Sequence, residues 1–280
     1  MSTLYLDHSI VTHPASWTPV DEVLTNGKAQ LALSLWNLFE IGSASDRAQQ
    51  DLRLALLMKS KPLWILERVQ IERREVRAFL WKEKLQIAPE PVDAFRRHLS
   101  EVESFMVGSK TRIGVTPRQW IDTIDFKRYA PSKELAPTAL RQLQTLGPKK
   151  VAERQDEIFE KWIEGLLPTK LPDGSACSKA ELLEFSKFCL DNQAAFYAAC
   201  PAMAVENALT RARTATASRN PQSSDGIDLM HAVVALAYCD YFLLRDGFVF
   251  QCCEHARKEL ASRPLATVFR DAEAFKKALP

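Results

Sequence analysis

Acidic residues stand where the short apolar runs of this chain stop. Asp7 follows Leu4-Tyr5-Leu6, Asp246 follows Tyr241-Phe242-Leu243-Leu244-Arg245, and Asp225 and Asp228 open the apolar run that begins at Leu229. Glu40 stands instead within a helical stretch, amid Trp36, Leu38, Phe39 and Ile41. Carboxylates are hard oxygen donors, the ligands that Mg²⁺ and Mn²⁺ prefer. Two such ions can hold the attacking and the leaving oxygen of a phosphodiester during hydrolysis. Asp7, Glu40, Asp228 and Asp246 are the candidates for that chemistry, each on a separate element. Gathered carboxylates repel, so without a cation one or more is driven toward protonation. Each also has a plainer explanation. Asp225 and Asp228 are spaced as a helix N-cap and its N3 residue. Asp7, Asp240 and Asp246 adjoin turns, where Asp is common, and Glu40 suits a solvated helix stripe. His231, three residues after Asp228, is either a partner of that acid or a core histidine, and His8 reads as a surface residue.

The elements that must position these acids alternate. Strands are expected at Leu4-Tyr5-Leu6, Leu31-Ala32-Leu33, Trp64-Ile65-Leu66 and the run ending at Asp246. Helices are expected from Asp21 to Asn26 with a stop near Gly27, from Leu35 to Ser43 behind a Ser34 cap, from Asp46 to Lys59 and from Glu72 to Lys84. Pro89 and Pro91 interrupt the pattern. The spacing of Val92, Phe95, Leu99, Val102, Phe105 and Met106 then predicts a further helix. The stretch 86–200 reads as mainly helical, and Leu182–Cys200 and Ala202–Thr214 continue the helices. A polar loop over 215–224 leads to a helix apolar on every face, which has to be buried. Phe248-Val249-Phe250 leads into a helix from Glu254 to Ala261, followed by a final helix or tail. A short apolar strand beside a buried helix implies a sheet covered on both sides. The expected fold is therefore an α/β three-layer sandwich with a mostly parallel sheet, built from 1–85 and 201–280, with 86–200 inserted as a helical subdomain. Such a sheet places its chemistry at its strand ends.

The chain has 280 residues and a formal net charge of +2, so a polyanion partner would need a local basic patch. Six cysteines occur without a CxxC pair, which fits buried thiols in a reduced cytoplasmic setting. A first strand beginning almost at Met1 leads to the expectation of no signal peptide. The longest apolar run is broken by Asp240 and is too short to span a bilayer.

Four segments together resemble the acidic motifs of PIN-like domains: Leu4-Tyr5-Leu6-Asp7, Leu33 to Glu40, Asp225-Gly226-Ile227-Asp228-Leu229-Met230-His231-Ala232, and Tyr238 to Asp246. The resemblance covers about residues 1–85 and 215–260. It implies a Rossmann-like sandwich and a metal-dependent nuclease, usually acting on RNA and sometimes on DNA. By that resemblance Asp7, Glu40, Asp228 and Asp246 would hold Mg²⁺ or Mn²⁺, with Asp225 as an accessory acid. The last strand of that family often ends in Thr-x-Asp, where this chain has Leu244-Arg245-Asp246. That change removes a hydroxyl and keeps the carboxylate. The implied products carry a 5′-phosphate. Arg211, Arg213, Thr214 and Ser218, leading into the acidic loop, and Arg245 are the candidates for holding phosphate; Arg219 and Lys127-Arg128 are further basic candidates. RNA is the favoured partner, and an inhibitor or partner protein and a homo-oligomer are compatible with the same reading. A contrasting reading is a catalytically silent PIN-like scaffold that binds a partner through the insertion. Haloacid-dehalogenase-type phosphatases carry Asp-x-Asp after the first strand, whereas this chain has Asp7-His8-Ser9, which sets that reading aside.

Overall fold

The computed structural model describes residues 1–104, 109–110, 116–124, 126, 141–142, 145–146, 148–215 and 225–279. Strand β1 (Ser2–Leu6) lies at the centre of a six-stranded sheet of order β4 (Phe95–Arg96), β3 (Leu63–Ile65), β2 (Ala29–Leu33), β1, β7 (Tyr241–Leu243), β8 (Thr267–Phe269), while β5 (Glu103–Ser104) and β6 (Ser109–Lys110) pair apart from it. β2 (Ala29–Leu33) and β7 (Tyr241–Leu243) flank it, both parallel to it, with Leu4 opposite Leu31 on one side and Tyr241 on the other. β3 (Leu63–Ile65) and β8 (Thr267–Phe269) extend the parallel sheet outward, and β4 (Phe95–Arg96) closes one edge antiparallel to β3. Leu4, Tyr5 and Leu6 are all 0% exposed, as are Leu31, Ala32 and Leu33. Successive strand residues point to opposite faces, so the sheet is covered on both. The chain runs outward through β1, β2 and β3, then returns on the other side of β1 with β7 and β8. The direction of winding therefore reverses between β1 and β7, the position at which open sheets of this kind usually bind their ligands.

The helices in chain order are α1 (His8–Val11), α2 (Trp17–Thr25), α3 (Leu35–Gly42), α4 (Arg47–Lys59) and α5 (Arg68–Phe79). A π-helical turn over Leu80–Lys84 prolongs α5. Then follow α6 (Pro117–Asp122), α7 (Pro148–Leu166), α8 (Lys179–Asp191), α9 (Gln193–Ala199) and α10 (Pro201–Ala215). α11 (Asp225–Tyr238), α12 (Gly247–Glu259) and α13 (Ala272–Ala278) complete the chain. Among the described residues no helix is long and apolar enough to cross a membrane.

Two hydrophobic cores form. The larger surrounds the sheet and takes in α11, whose Ala232, Val233, Ala235 and Leu236 are fully buried. The smaller joins Val76, Phe79 and Leu80 of α5 and its π turn to Phe159, Ile163, Phe185, Phe196 and Met203.

This arrangement corrects the expected insertion. The helix anticipated from Val92 onward is absent: Phe95–Arg96 pairs with Trp64–Ile65, Leu99–Glu101 is a 3₁₀ turn, and Glu103–Ser104 pairs with Ser109–Lys110. The open edge of β3 supplies the reason, because Leu66 N donates to Ala94 O at 2.8 Å and draws the chain into the sheet. Ala94, Leu99, Val102, Trp120 and Ile121 then bury in the larger core. Among the described residues α7, α8 and α9 share the second core with α5. Phe105 and Met106 lie outside the described residues. α12 also starts earlier than expected, at Gly247, because Asp246 caps it.

The contact of α3 with α6 leaves no room for a side chain at Gly42. A Cβ there would stand 2.6 Å from both Ile121 Cγ2 and Phe126 Cζ. Gly42→Ala is expected to destabilise the protein by about 1–3 kcal/mol through overpacking, read as a lowered urea midpoint.

Candidate acidic centre at the carboxyl edge of the sheet

Asp7 is the first residue beyond β1, and its N–H donates to Leu243 O at 3.0 Å, which fixes it against the end of β7. Its Oδ2 accepts from Ser9 N at 2.9 Å and from the Ser9 hydroxyl in a shorter contact. Ser9 Oγ in turn accepts from Arg245 N at 3.0 Å, joining the turn after β1 to the turn after β7. Asp246 caps α12, with Oδ1 accepting from Phe248 N and Val249 N, each at 2.8 Å. The capping explanation therefore fits both residues. It uses one oxygen of each; among the described residues the second oxygens carry no hydrogen bond.

Glu40 is positioned by the start of α3. Asn37 Oδ1 accepts from Ser34 N at 2.8 Å, and Asn37 Nδ2 donates to Leu6 O at 2.9 Å. These bonds lock α3 onto the end of β1, one turn before Glu40. Tyr5 OH lies 2.6 Å from Ser34 Oγ and 2.5 Å from His231 Nδ1, and His231 Nε2 lies 2.7 Å from Glu40 Oε2. His231, 0% exposed, is thus a buried link between β1, α3 and α11. Burial pushes its imidazole down, while Glu40, ahead of Asp7 and Asp228, pushes it up; the net shift is upward. His8 is not the expected surface residue. Its Nδ1 is buried without a hydrogen-bond partner among the described residues, and burial holds its pKa down.

Asp228, one turn before His231 on α11, reports how closely the acids approach. Burial, then Asp7 and Glu40, raise its carboxyl; His231 lowers it and Asp246 adds to the rise, with the result at about 7. Asp7 after β1, Glu40 on α3 and Asp246 after β7 are therefore each within electrostatic reach of Asp228. Asp225 begins α11, one turn before Asp228.

The other residues singled out in the sequence fall differently. Arg211 forms an ion pair with Glu259, the last residue of α12, whereas Asp246 caps the opposite end of that helix. Arg213 is half-buried on α10, and Thr214 is buried with its hydroxyl on Thr210 O at 2.8 Å. Arg245 is exposed beside Asp246. Ser218, Arg219, Lys127 and Arg128 lie outside the described residues. Two arginines that sequence reasoning missed border the centre. Arg270 Nη2 donates to Arg245 O at 3.4 Å and packs beside Gly247, and Arg53 on α4 is close enough to His8 to lower its pKa. Neither had a sequence signal, since both stand far from the acidic motifs.

The chemistry of this donor set suits Mg²⁺ or Mn²⁺. All four groups are carboxylates, Asp7 and Asp246 each have an uncommitted oxygen, and Glu40 Oε2 is buried 2.7 Å from His231 Nε2. The spacing is wider than a coordination shell: among the described residues no three His, Cys, Asp or Glu side chains are grouped so as to hold a metal ion. Fold and site together define an α/β protein with a mostly parallel sheet and an acidic carboxyl edge. No family model, no curated protein and no solved structure matches the chain.

Proposed function

We propose that the protein is a metal-dependent phosphodiesterase of PIN-like type, a nuclease acting on RNA in preference to DNA. The observation that supports this reading is that Asp7, Glu40 and Asp246 each act on Asp228 at the carboxyl edge of β1 and β7, where burial first and then those charges raise its carboxyl to about 7. Those four residues would hold Mg²⁺ or Mn²⁺, which when bound activates water and offsets charge on the phosphodiester. His231 orients Glu40 from a buried position fixed by Tyr5. Arg245 and Arg270, both exposed, would hold phosphate oxygens by bidentate hydrogen bonds. The preference for RNA rests on the resemblance of the four motifs to PIN-like domains. A second reading, a silent scaffold of the same fold, is favoured by the lack of a three-ligand group among the described residues.

Cleavage of total RNA and of single-stranded DNA, with Mn²⁺ and with EDTA, separates the two. The wild type is expected to cut RNA only with the metal, and Asp7→Asn to have lost that activity. Mn²⁺ should also raise the melting temperature of the wild type and leave that of Asp7→Asn almost unchanged. A wild type that neither cuts RNA nor responds to Mn²⁺ is the scaffold.

A further inference from the structure

A cavity of about 720 Å³ lies away from the acidic centre, and none of the four acids lines it. One wall is the face of α5 and its π turn that carries Arg73, Arg74, Arg77 and Trp81; the other is the chain from Gly165 to Pro172, with Lys170. Residues four apart on a helix are neighbours about 6 Å apart, so Arg73 and Arg77 form one row, and Arg74, Ala78 and Trp81 form the next. Glu90 is the one acid among the lining residues, 3.3 Å from Arg77 and 88% exposed. Ion pairs so exposed are weak and easily exchanged for another anion. Among the described residues neither Arg73 nor Lys170 has a carboxylate within salt-bridge distance.

Both walls are held by backbone bonds. Ile87 N donates to Trp81 O at 2.8 Å, closing the turn in which Gln86 takes a left-handed φ of 57°. On the other side Leu171 N donates to Ser175 O at 2.8 Å and Cys177 N to Thr169 O at 3.0 Å. A π turn and a left-handed non-glycine residue are each costly and are commonly kept where a ligand binds.

We propose that this cleft binds a nucleoside phosphate, with the phosphate oxygens on Arg73, Arg77 and Lys170 and the base against Trp81. The excess of cations selects an anion, and guanidinium pairs suit phosphate. The aromatic wall gives the base a stacking surface. The volume is that of a site for one small ligand, which favours a single nucleotide unit over an extended acidic peptide. That unit is either a free nucleotide or the phosphorylated end of a strand. The site stands whether or not the acidic centre is a nuclease.

Titration of the full-length protein in EDTA, followed by Trp fluorescence and calorimetry, tests the assignment with AMP, ATP, inorganic phosphate, a 5′-phosphorylated oligoribonucleotide and an oligoglutamate peptide. ATP or the phosphorylated oligonucleotide is expected to bind at least tenfold more tightly than inorganic phosphate. Which of the two binds better identifies the free nucleotide or the strand end as the source. The double variant Arg73→Ala, Arg77→Ala should weaken that binding at least tenfold; both positions are exposed, and an unchanged melting temperature verifies the fold. Trp81→Ala should lower nucleotide affinity and leave phosphate affinity alone. Binding equal in wild type and double variant, nucleotides no better than phosphate, or oligoglutamate the tightest ligand each overturns the proposal.

Discussion

Asp228→Asn is expected to make the metal-free protein more stable at pH 8 while lowering metal-dependent cleavage about 100-fold or more. The stability half follows from charge. The folded carboxyl titrates at about 7, raised first by burial and then by Asp7 and Glu40, against an ordinary value near 4. Between those two pH values the folded state binds the extra proton, so its stability falls as pH rises through that window. Asparagine keeps the shape and removes the charge, recovering roughly 2–4 kcal/mol above pH 7 and nothing below pH 4. The activity half follows from the proposed ion: a ligand oxygen lost from it removes several kcal/mol of charge stabilisation. Thermal melts at pH 4 and pH 8, beside a Mn²⁺-dependent RNA cleavage assay, read both. A variant less stable than wild type at pH 8 contradicts the convergence of the four acids. A more stable variant that cleaves normally removes Asp228 from the metal site while leaving that convergence intact.

The sequence disclosed the acids because a strand end is a strong local signal. Leu4-Tyr5-Leu6 and Tyr241-Phe242-Leu243 are apolar without interruption, as strands buried on both faces must be, and the acid after each marks the carboxyl edge. α11 was equally plain, its apolar residues running all round. What holds the centre in place was not legible. Tyr5 stood only as part of an apolar strand, yet its hydroxyl meets Ser34 and, 226 residues along the chain from Tyr5, His231, a contact that only the folded sheet creates. β4 failed for a different reason. Val92, Phe95, Leu99 and Val102 have helical spacing, but the unpaired edge of β3 offers backbone partners that outweigh periodicity in a segment opened by two prolines. β8 is three residues long, and its strand character comes from β7 beside it. The face of α5 that carries Val76 and Phe79 packs into the second core, and its sequence gives no local sign of that.

Glu67→Gln is expected to raise the melting temperature strongly at pH 9 and to leave it nearly unchanged at pH 5. Glu67 follows β3 at the start of α5, 1% exposed, and among the described residues neither carboxylate oxygen has a hydrogen-bond partner. Burial alone pushes its carboxyl up to about 8. Its ordinary value lies near 4, so from there to pH 8 the folded state holds a proton that the unfolded state has released. Stability then declines with rising pH, by on the order of 4 kcal/mol for this residue once both states are ionised. Glu75 adds a decline in the same direction. It is pushed to about 7 by burial, although Tyr238 OH at 2.6 Å and the N–H groups of Ala202 and Met203 donate to it and favour its ionised form. The wild type should therefore melt at a lower temperature at pH 9 than at pH 5, and Glu67→Gln should flatten that slope. Asp228 is not among the causes of the Glu67 shift, nor Glu67 among those of Asp228. The double variant Glu67→Gln, Asp228→Asn should consequently be stabilised at pH 9 by nearly the sum of the single effects. A wild-type melting temperature that climbs from pH 5 to pH 9 contradicts the sign, and a Glu67→Gln curve parallel to the wild type assigns the slope to other acids.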